Sequence, residues 1–364
     1  MKNSFSNSNA MPWYRWIFLQ SDELPGVTLY FLSKRNSTSP RFFPLYENTS
    51  LVRIVLVQGS RMPYLDFLYL RFLRLLLRTF RRSFSRYEYF FLLDIPTSSL
   101  IATNQILHID DPSYSNDELN LIKSWELNVR SNGFDSKIVV TTNYMMNYFQ
   151  NNQVKSEIQV ISQGFSSSNN ATRAEVSKDL SSFKLVYISP YIDCLGDPHA
   201  GHPMWDASVL IDQIWTQVSH LRGIELHLIG RVGRSAGRKL QQPNVFQHGF
   251  MSIAEVSAIL SDFDLALYPR THDNRWQPQK IIEYLGAGVP ILAFELVDTK
   301  LIEDLAVGVV VENTAQFIAK IRELSLNRIL LQEYKGNCIS KRYEYSWTYL
   351  GQKLDKILDN SVGS

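Results

Sequence analysis

The sequence of 364 residues has few cysteines, little net charge and no long apolar run. Its two cysteines, Cys194 and Cys338, are far apart, which excludes a disulfide framework or a cysteine metal cluster and predicts a reducing, cytoplasmic location. The formal net charge is only +2, so charge predicts no nucleic-acid partner. No apolar run approaches the roughly 20 residues of a membrane-spanning helix, and the polar N-terminus does not resemble a secretory signal.

What the sequence does contain is a hydrophobic content of 45%, enough for a globular protein. The length predicts two domains rather than one core. Short apolar runs alternate with segments of helical periodicity, and the connections are brief. This rhythm occurs on both sides of a stretch low in apolar residues, 166–182. The pattern therefore predicts the α/β class, with two doubly wound parallel sheets joined by that linker.

Residues 276–294 form the most informative stretch. Pro278 is suited to the start of a helix, and Gly286 and Gly288 are expected to end it. The apolar runs 264–268 and 289–294, before and after the helix, are predicted to be buried strands. A polar loop would then leave the carboxyl end of one strand and enter the helix N-terminus, which is where open α/β sheets bind ligands and where helices favour phosphate.

Three polar side chains of this helix fall at positions i, i+3 and i+4, namely Lys280, Glu283 and Tyr284. That spacing places them together on the helix surface. One interpretation is a site that combines a cation with a carboxylate. The alternative is a solvated ion pair between Lys280 and Glu283 on an ordinary helix.

The same segment resembles the nucleotide-binding signature of GT-B glycosyltransferases, of the group 1 or family 4 type. Their C-terminal domain carries a pattern like Pro-x-Lys-x-x-Glu-Tyr-x-x-x-Gly-x-Pro, and the matching residues here are Pro278, Lys280, Glu283, Tyr284, Gly288 and Pro290. The resemblance implies that Glu283 holds the ribose hydroxyls of a sugar nucleotide, that Lys280 faces the diphosphate and that Tyr284 packs beneath. Retaining members of this family usually have a second glutamate, eight residues before the one at position 283. The residue at that position here is Arg275, so the sequence leaves open whether the reaction retains or inverts the anomeric configuration.

The resemblance extends to the preceding part of the predicted second domain. A strand ends in Gly230 and Arg231; the glycine would let a ligand approach the backbone, and the arginine would contact phosphate or remain solvated. Retaining relatives often place an arginine and a lysine after the first strand of this domain, and neither is present here. His199 and His202 are the candidate substitutes in that loop, and together with Asp197 they also allow a metal-site interpretation.

In the N-terminal half, Asp110 and Asp111 follow a predicted strand, 105–109. Neighbouring carboxylates tend to raise one pKa, which suits acid/base work, so this pair is the candidate for a catalytic base or an acceptor ligand. The alternative is a helix N-cap formed by Asp111 or Ser113.

Residues 63–86 form a basic amphipathic segment, with arginines at helical spacing among leucines and phenylalanines. Such a helix can lie on an anionic membrane surface, or it can pack within the domain and expose a solvated basic face. GT-B enzymes that act on lipid-linked acceptors have a similar N-terminal surface. We therefore expect a cytoplasmic protein, with peripheral binding to the inner face of the membrane as one of the two alternatives for this segment.

Taken together, these features predict a GT-B protein with two Rossmann-like domains facing a cleft. The predicted parts are an acceptor domain (1–165), a linker (166–182), a nucleotide-sugar domain (183–345) and a final helix packing back on the first domain (346–364). The implied activity is transfer of a hexose from a nucleotide sugar to a hydroxyl of a sugar or lipid-linked acceptor, in polysaccharide or glycolipid biosynthesis.

No cofactor beyond the donor is expected, and no Asp-x-Asp triplet stands at a strand end, which favours a metal-independent reaction. A sugar-nucleotide epimerase of the same fold and a non-catalytic scaffold remain alternatives.

Overall fold

The structure is a computed structural model that describes residues 27–30, 52–55, 87–91, 104–109, 114–165, 182–194, 206–272 and 278–359. The chain divides into two compact units. One comprises Met1–Gln163 with Leu350–Ser364, and the other comprises Gly164–Tyr349. The predicted linker falls almost entirely outside the described residues.

The first unit is built on a six-stranded sheet in the order β2-β1-β3-β4-β5-β6, and every pair of neighbours is parallel. Its strands are β1 (Val27–Tyr30), β2 (Val52–Val55), β3 (Tyr87–Phe91), β4 (Asn104–Ile109), β5 (Ser136–Val140) and β6 (Glu157–Val160). Its described helices up to Gln163 are α1 (Asn116–Ser131) and α2 (Asn143–Asn151).

The helix starts of this unit follow from their caps. The hydroxyl of Thr142 accepts a hydrogen bond from the Met145 amide at the start of α2. At the start of α1 the cap is Ser115, which accepts from the amide of Glu118. The expectation that Asp111 or Ser113 caps this helix is therefore wrong, because Ser115 lies directly before the first helical residue.

The second unit is built on another six-stranded parallel sheet, in the order β12-β11-β10-β7-β8-β9. Its strands are β7 (Phe183–Ile192), β8 (Ile224–Val232), β9 (Val245–Gly249), β10 (Leu265–Tyr268), β11 (Ile291–Phe294) and β12 (Gly308–Val311). The strand order reverses between β7 and β10, so the two predicted doubly wound parallel sheets are confirmed and this reversal is the switch point of the second one.

Helices cover both faces of the second sheet. They are a π-helix (Val209–Trp215) continuing into α3 (Thr216–Val218), then α4 (Arg234–Lys239), α5 (Ile253–Ile259), α6 (Gln279–Ala287), α7 (Lys300–Asp304), α8 (Thr314–Leu326) and α9 (Arg328–Lys341). The final helix, α10 (Trp347–Asp359), begins in this unit and continues in the first. Short 3₁₀ segments occupy Leu260–Asp262, Val297–Thr299 and Arg342–Tyr345. Trp215 and Phe317 fill the core on one face of the sheet, and Ile281, Tyr284 and Leu285 fill the other.

The structure of this unit differs from the sequence analysis at three points. The sequence predicts a helix over 204–221, yet the helix begins only at Val209, because Ala207 donates its amide to the carbonyl of Asp193 and Asp206 pairs with Asp193 as a β-bridge. Gly286 lies inside α6 rather than at its end, and Gly288 alone adopts the left-handed C-cap conformation, with φ of 77°. Helix α9 was not predicted from the sequence.

The final helix begins at Trp347 in the second unit and belongs to the first unit from Leu350 onward. Within the first unit Leu350 and Leu354 are buried, and the Lys353 Nζ donates a hydrogen bond of 2.8 Å to the carbonyl of Val160. Among the described residues no helix is both long and apolar enough to span a membrane.

Candidate functional site

The candidate site lies at the carboxyl ends of β7 and β10, the neighbouring strands at the switch point. Helix α6 follows β10, and its N-cap residue, Pro278, makes no side-chain capping bond. Among the described residues no side chain caps the first amides of α6, which are donors that a helix leaves without intrahelical partners. Parallel sheets bind ligands at this edge, since the loops that leave adjacent strands diverge there.

Lys280 stands in the first turn of α6 and is partly buried. Its Nζ lies 5.1 Å from the centroid of the Tyr187 ring on β7, within cation–π range. Burial, with a smaller contribution from the charge of Arg270, lowers the pKa of Lys280 to about 7. The lysine therefore points towards Tyr187. The ion pair between Lys280 and Glu283, which the sequence offered as an alternative, is not formed.

Glu283 lies one turn further along α6 and is also partly buried. Its Oε1 accepts a hydrogen bond of 2.8 Å from the Gln279 Nε2. Burial raises the pKa of the Glu283 carboxyl, and the bond from Gln279 opposes that rise. Lys280 and Glu283 thus occupy one helix N-terminus as separate groups, a cation and a carboxylate with different neighbours.

Tyr284 is fully buried beneath these two residues. Its hydroxyl oxygen accepts a hydrogen bond of 3.0 Å from the amide of Ile188 on β7. Burial is the main reason that the pKa of Tyr284 is raised, so the phenol stays neutral. The side chain ties α6 to β7, and its place beneath a bound donor stays a prediction.

Arg270 is a residue of this edge that the sequence interpretation did not single out. It follows β10 after one proline, and its Nη1 lies 3.2 Å from the hydroxyl oxygen of Tyr268. The Tyr268 hydroxyl is in turn 3.4 Å from the Oδ2 of Asp298. Arg270 is close enough to Lys280 to lower its pKa, so two cationic side chains share this edge. The sequence signal that could have identified Arg270 is its position, two residues after the buried strand β10 and directly after Pro269.

Gly230 and Arg231 lie at the end of β8, the other neighbour of β7. Gly230 has a φ of 138°, and a Cβ there would overlap the carbonyl oxygen of Ser189 on β7. The close approach of the two strands is by itself enough to require glycine. Arg231 is exposed and opposite Tyr191 in the strand ladder; its contact with phosphate stays a prediction.

Asp193 is a second residue that the sequence did not reveal. It is fully buried just beyond β7, and its Oδ1 accepts hydrogen bonds from the amides of Cys194 (2.9 Å) and Ala236 (3.0 Å). Its Oδ2 accepts from the Tyr191 hydroxyl at 3.3 Å. A Cβ at Gly233 would overlap this carboxylate. Asp193 therefore fastens the turn between β8 and α4 to the end of β7.

Helix α6 also packs against the two chain segments at the ends of the second unit. Phe165 and Ser346 form a β-bridge, and the Phe165 ring lies where a side chain at Gly286 would be. The Gln279 Nε2 donates a bond of 2.9 Å to the carbonyl of Gly164. The charged end of α6 is thus held from one side by the residues with which the second unit begins.

Several predicted residues lie outside the described ones, and their roles stay predictions. They are the carboxylates Asp110 and Asp111, the loop residues Asp197, His199 and His202, the departure at Arg275 and the basic segment 63–86. Within the described part of the chain, no group of three histidine, cysteine, aspartate or glutamate side chains is arranged to hold a metal ion.

Comparison with known proteins supports the predicted resemblance. Residues 195–327 match the family described as "Glycosyl transferases group 1". No curated protein sequence matches the chain.

Solved structures extend the likeness. A TarM variant from S. aureus, in complex with fondaparinux, alpha-GlcNAc-glycerol and UDP, is 18% identical with a TM-score of 0.54 over 75% of this chain. The match spans only 55% of the TarM chain. WaaG, a glycosyltransferase involved in lipopolysaccharide biosynthesis, is 13% identical with a TM-score of 0.56 over 91% of this chain and 99% of its own.

Anabaena HepE in complex with UDP and glucose is 12% identical with a TM-score of 0.61, over 93% of this chain and 100% of its own. These likenesses confirm the predicted GT-B fold. The family match likewise confirms the resemblance of residues 195–327 to the group 1 glycosyltransferases.

Proposed function

We propose that this protein is a glycosyltransferase that moves a sugar from a nucleoside-diphosphate sugar to a hydroxyl acceptor. The observation that carries the proposal is the N-terminus of α6, where a partly buried cation and a partly buried carboxylate stand apart at the switch point of a parallel sheet. Both belong to the segment that resembles the donor-binding signature. The TarM and HepE structures contain UDP, so a uracil nucleotide is the first to test.

The chemistry follows from the charges. Departure of a nucleoside diphosphate leaves negative charge on phosphate oxygens, and fixed cations and helix amides stabilise that charge without a metal ion. Lys280, with Arg231 as a second candidate, would perform this task, and the backbone at Gly230 would lie beside the ligand. The carboxylate of Glu283 would accept hydrogen bonds from the ribose hydroxyls, and Tyr284 would hold the helix in place.

The acceptor side rests on the sequence alone. Asp110 or Asp111 is the candidate base or acceptor ligand, and the acceptor is a sugar or a lipid-linked sugar of polysaccharide or glycolipid synthesis. The basic segment 63–86 would hold the protein on an anionic membrane surface at the cytoplasmic side. Co-sedimentation with liposomes checks this point: binding is expected with anionic vesicles and not with neutral ones, and failure to bind either would refute it.

The decisive test of donor binding is Glu283→Ala, measured by isothermal titration with UDP and GDP. Loss of a charged acceptor of ribose hydroxyls is expected to weaken binding roughly 10- to 100-fold. Glu333→Ala is the matched control, because Glu333 is an exposed glutamate on α9 of the same unit. It should bind like the wild type.

Three outcomes would count against the proposal. Wild-type affinity in Glu283→Ala would remove the role of Glu283. A wild-type protein that binds neither nucleotide would favour the scaffold alternative. Consumption of a nucleotide sugar without any product on an acceptor would favour an epimerase of the same fold.

A further inference from the structure

Gln279, the first residue of α6, makes two hydrogen bonds with the same amide nitrogen. Its Nε2 donates to the Oε1 of Glu283 at 2.8 Å and to the carbonyl oxygen of Gly164 at 2.9 Å. A carbonyl oxygen and a carboxylate oxygen can only accept, so the nitrogen of the amide must face both of them. The orientation of Gln279 is therefore determined by its neighbours.

This orientation leaves the other end of the amide without a partner. The Oε1 of Gln279 is buried and receives no hydrogen bond from the part of the chain that the structure describes. A buried acceptor without a donor costs free energy, and such groups in native structures call for an explanation. The amide of Gln279 is thus oriented for its two donor bonds and not for its acceptor.

The bond from Gln279 acts on the ionisation of the Glu283 carboxyl. Two influences act on the pKa of Glu283: burial raises it, and the hydrogen bond from Gln279 lowers it. Lys280, the nearest cation in sequence, is directed towards the Tyr187 ring instead. No charged group of the described residues contributes to that shift. Gln279 is thus the group that favours the ionised form of this carboxyl.

We propose that Gln279 is a positioning residue for the donor-binding carboxylate, since its amide, anchored on the Gly164 carbonyl, fixes one oxygen of Glu283 and leaves the other for a ribose hydroxyl. The inference rests on the proposed function for the identity of the ligand. It rests on geometry alone for the action of Gln279 on Glu283. The two parts can fail separately.

The test is Gln279→Met in the full-length chain, a change that keeps the length of the side chain and removes its donors. The pKa of the Glu283 carboxyl is read by carbon NMR of protein labelled at its glutamate carboxyls, with Glu283→Gln identifying the signal. We expect that pKa to rise, because the opposing hydrogen bond is gone. UDP affinity should fall about tenfold at neutral pH.

The pH profile separates positioning from a merely structural role. If ionised Glu283 binds the ribose, affinity is lost as the pH falls through the pKa of its carboxyl. In Gln279→Met that loss should begin at a higher pH than in the wild type. Gln316→Met is the matched control: Gln316 also lies in the first turn of a helix with its Nε2 3.5 Å from a glutamate, Glu312. It should leave both readouts unchanged.

An unchanged Glu283 pKa in Gln279→Met overturns the proposal, whatever happens to binding. So does a raised pKa that is accompanied by wild-type affinity for UDP. If Gln279→Met folds poorly, Gln279→Glu has the same length and should raise the pKa of Glu283 further, because like charges repel. A wild-type protein that binds neither UDP nor GDP would refute the proposed function, and the NMR measurement would still decide whether Gln279 acts on Glu283.

Discussion

Two helix N-termini follow strands that flank β7, and they differ in what already occupies them. At the start of α4 the protein supplies its own anion, because the buried carboxylate of Asp193 accepts the amide of Ala236. At the start of α6 no carboxylate of the described residues caps the helix, and Lys280 and Arg270 lie near one another instead. An amide at the start of α4 thus has its acceptor within the protein, whereas two cationic side chains lie near the start of α6.

The difference shows how a protein separates structural from ligand-binding uses of the same geometry. Helix N-termini attract anions through unpaired amides and the helix dipole. A carboxylate from the chain satisfies that attraction permanently and fastens the neighbouring loops. A helix without such a carboxylate can accept an anion from outside. The comparison therefore predicts that changes at Asp193 affect stability and that changes near α6 affect binding.

The largest expected effect is on stability, in Asp193→Ala. Removal of the carboxylate leaves the buried amides of Cys194 and Ala236 and the hydroxyl of Tyr191 without their acceptor. We expect the free energy of unfolding to fall by about 3 kcal/mol, measured by urea denaturation. Asp193→Asn, which keeps one acceptor oxygen, should lose less.

Asp212→Ala is the control for that measurement. Asp212 lies in the π-helix and makes an exposed ion pair with Lys239, the last residue of α4. Exposed pairs contribute little, so its stability should be close to that of the wild type. The UDP affinity of the folded protein should be similar in Asp193→Asn, in Asp212→Ala and in the wild type. A tenfold change in affinity in Asp193→Asn would break the comparison, because the carboxylate at α4 would then take part in binding.

Much of the second unit could be predicted from the sequence because its signals are local. The apolar runs of its strands and the glycine at 288 act within a few residues of themselves. The charged face of α6 could be predicted for the same reason, since Lys280 and Glu283 are placed by helical spacing alone.

The contacts that define the site could not be predicted, because they join residues distant in sequence. Gln279 reaches a carbonyl 115 residues away, and Asp193 reaches an amide 43 residues away. Gly286 seemed to be a helix terminator, yet its reason is the ring of Phe165 packed against it. Helix α9 was missed because only Leu331 and Cys338 of its residues are buried, which is too few for an apolar stripe.

The smaller expected effect is on binding, in Lys280→Met. Loss of one partly buried cation facing a diphosphate should weaken UDP about tenfold, measured by titration calorimetry. Uridine, which has no phosphate, should bind the variant and the wild type alike. Lys239→Met is the matched control from α4, and it should not change UDP affinity. An equal loss for uridine would mean that Lys280 supports the nucleoside or the fold rather than the phosphates.

The pH dependence sharpens this prediction, because binding and stability should respond with opposite signs. The pKa of Lys280 is lowered to about 7 in the folded protein, against about 10.4 in an unfolded chain. Between these values the unfolded state holds the extra proton, so stability should rise with pH across that window. UDP affinity should fall as pH rises through about 7, because the cation is lost. Lys280→Met should remove both trends, and a wild-type affinity that stays constant across neutral pH would show that the diphosphate does not bind at this end of α6.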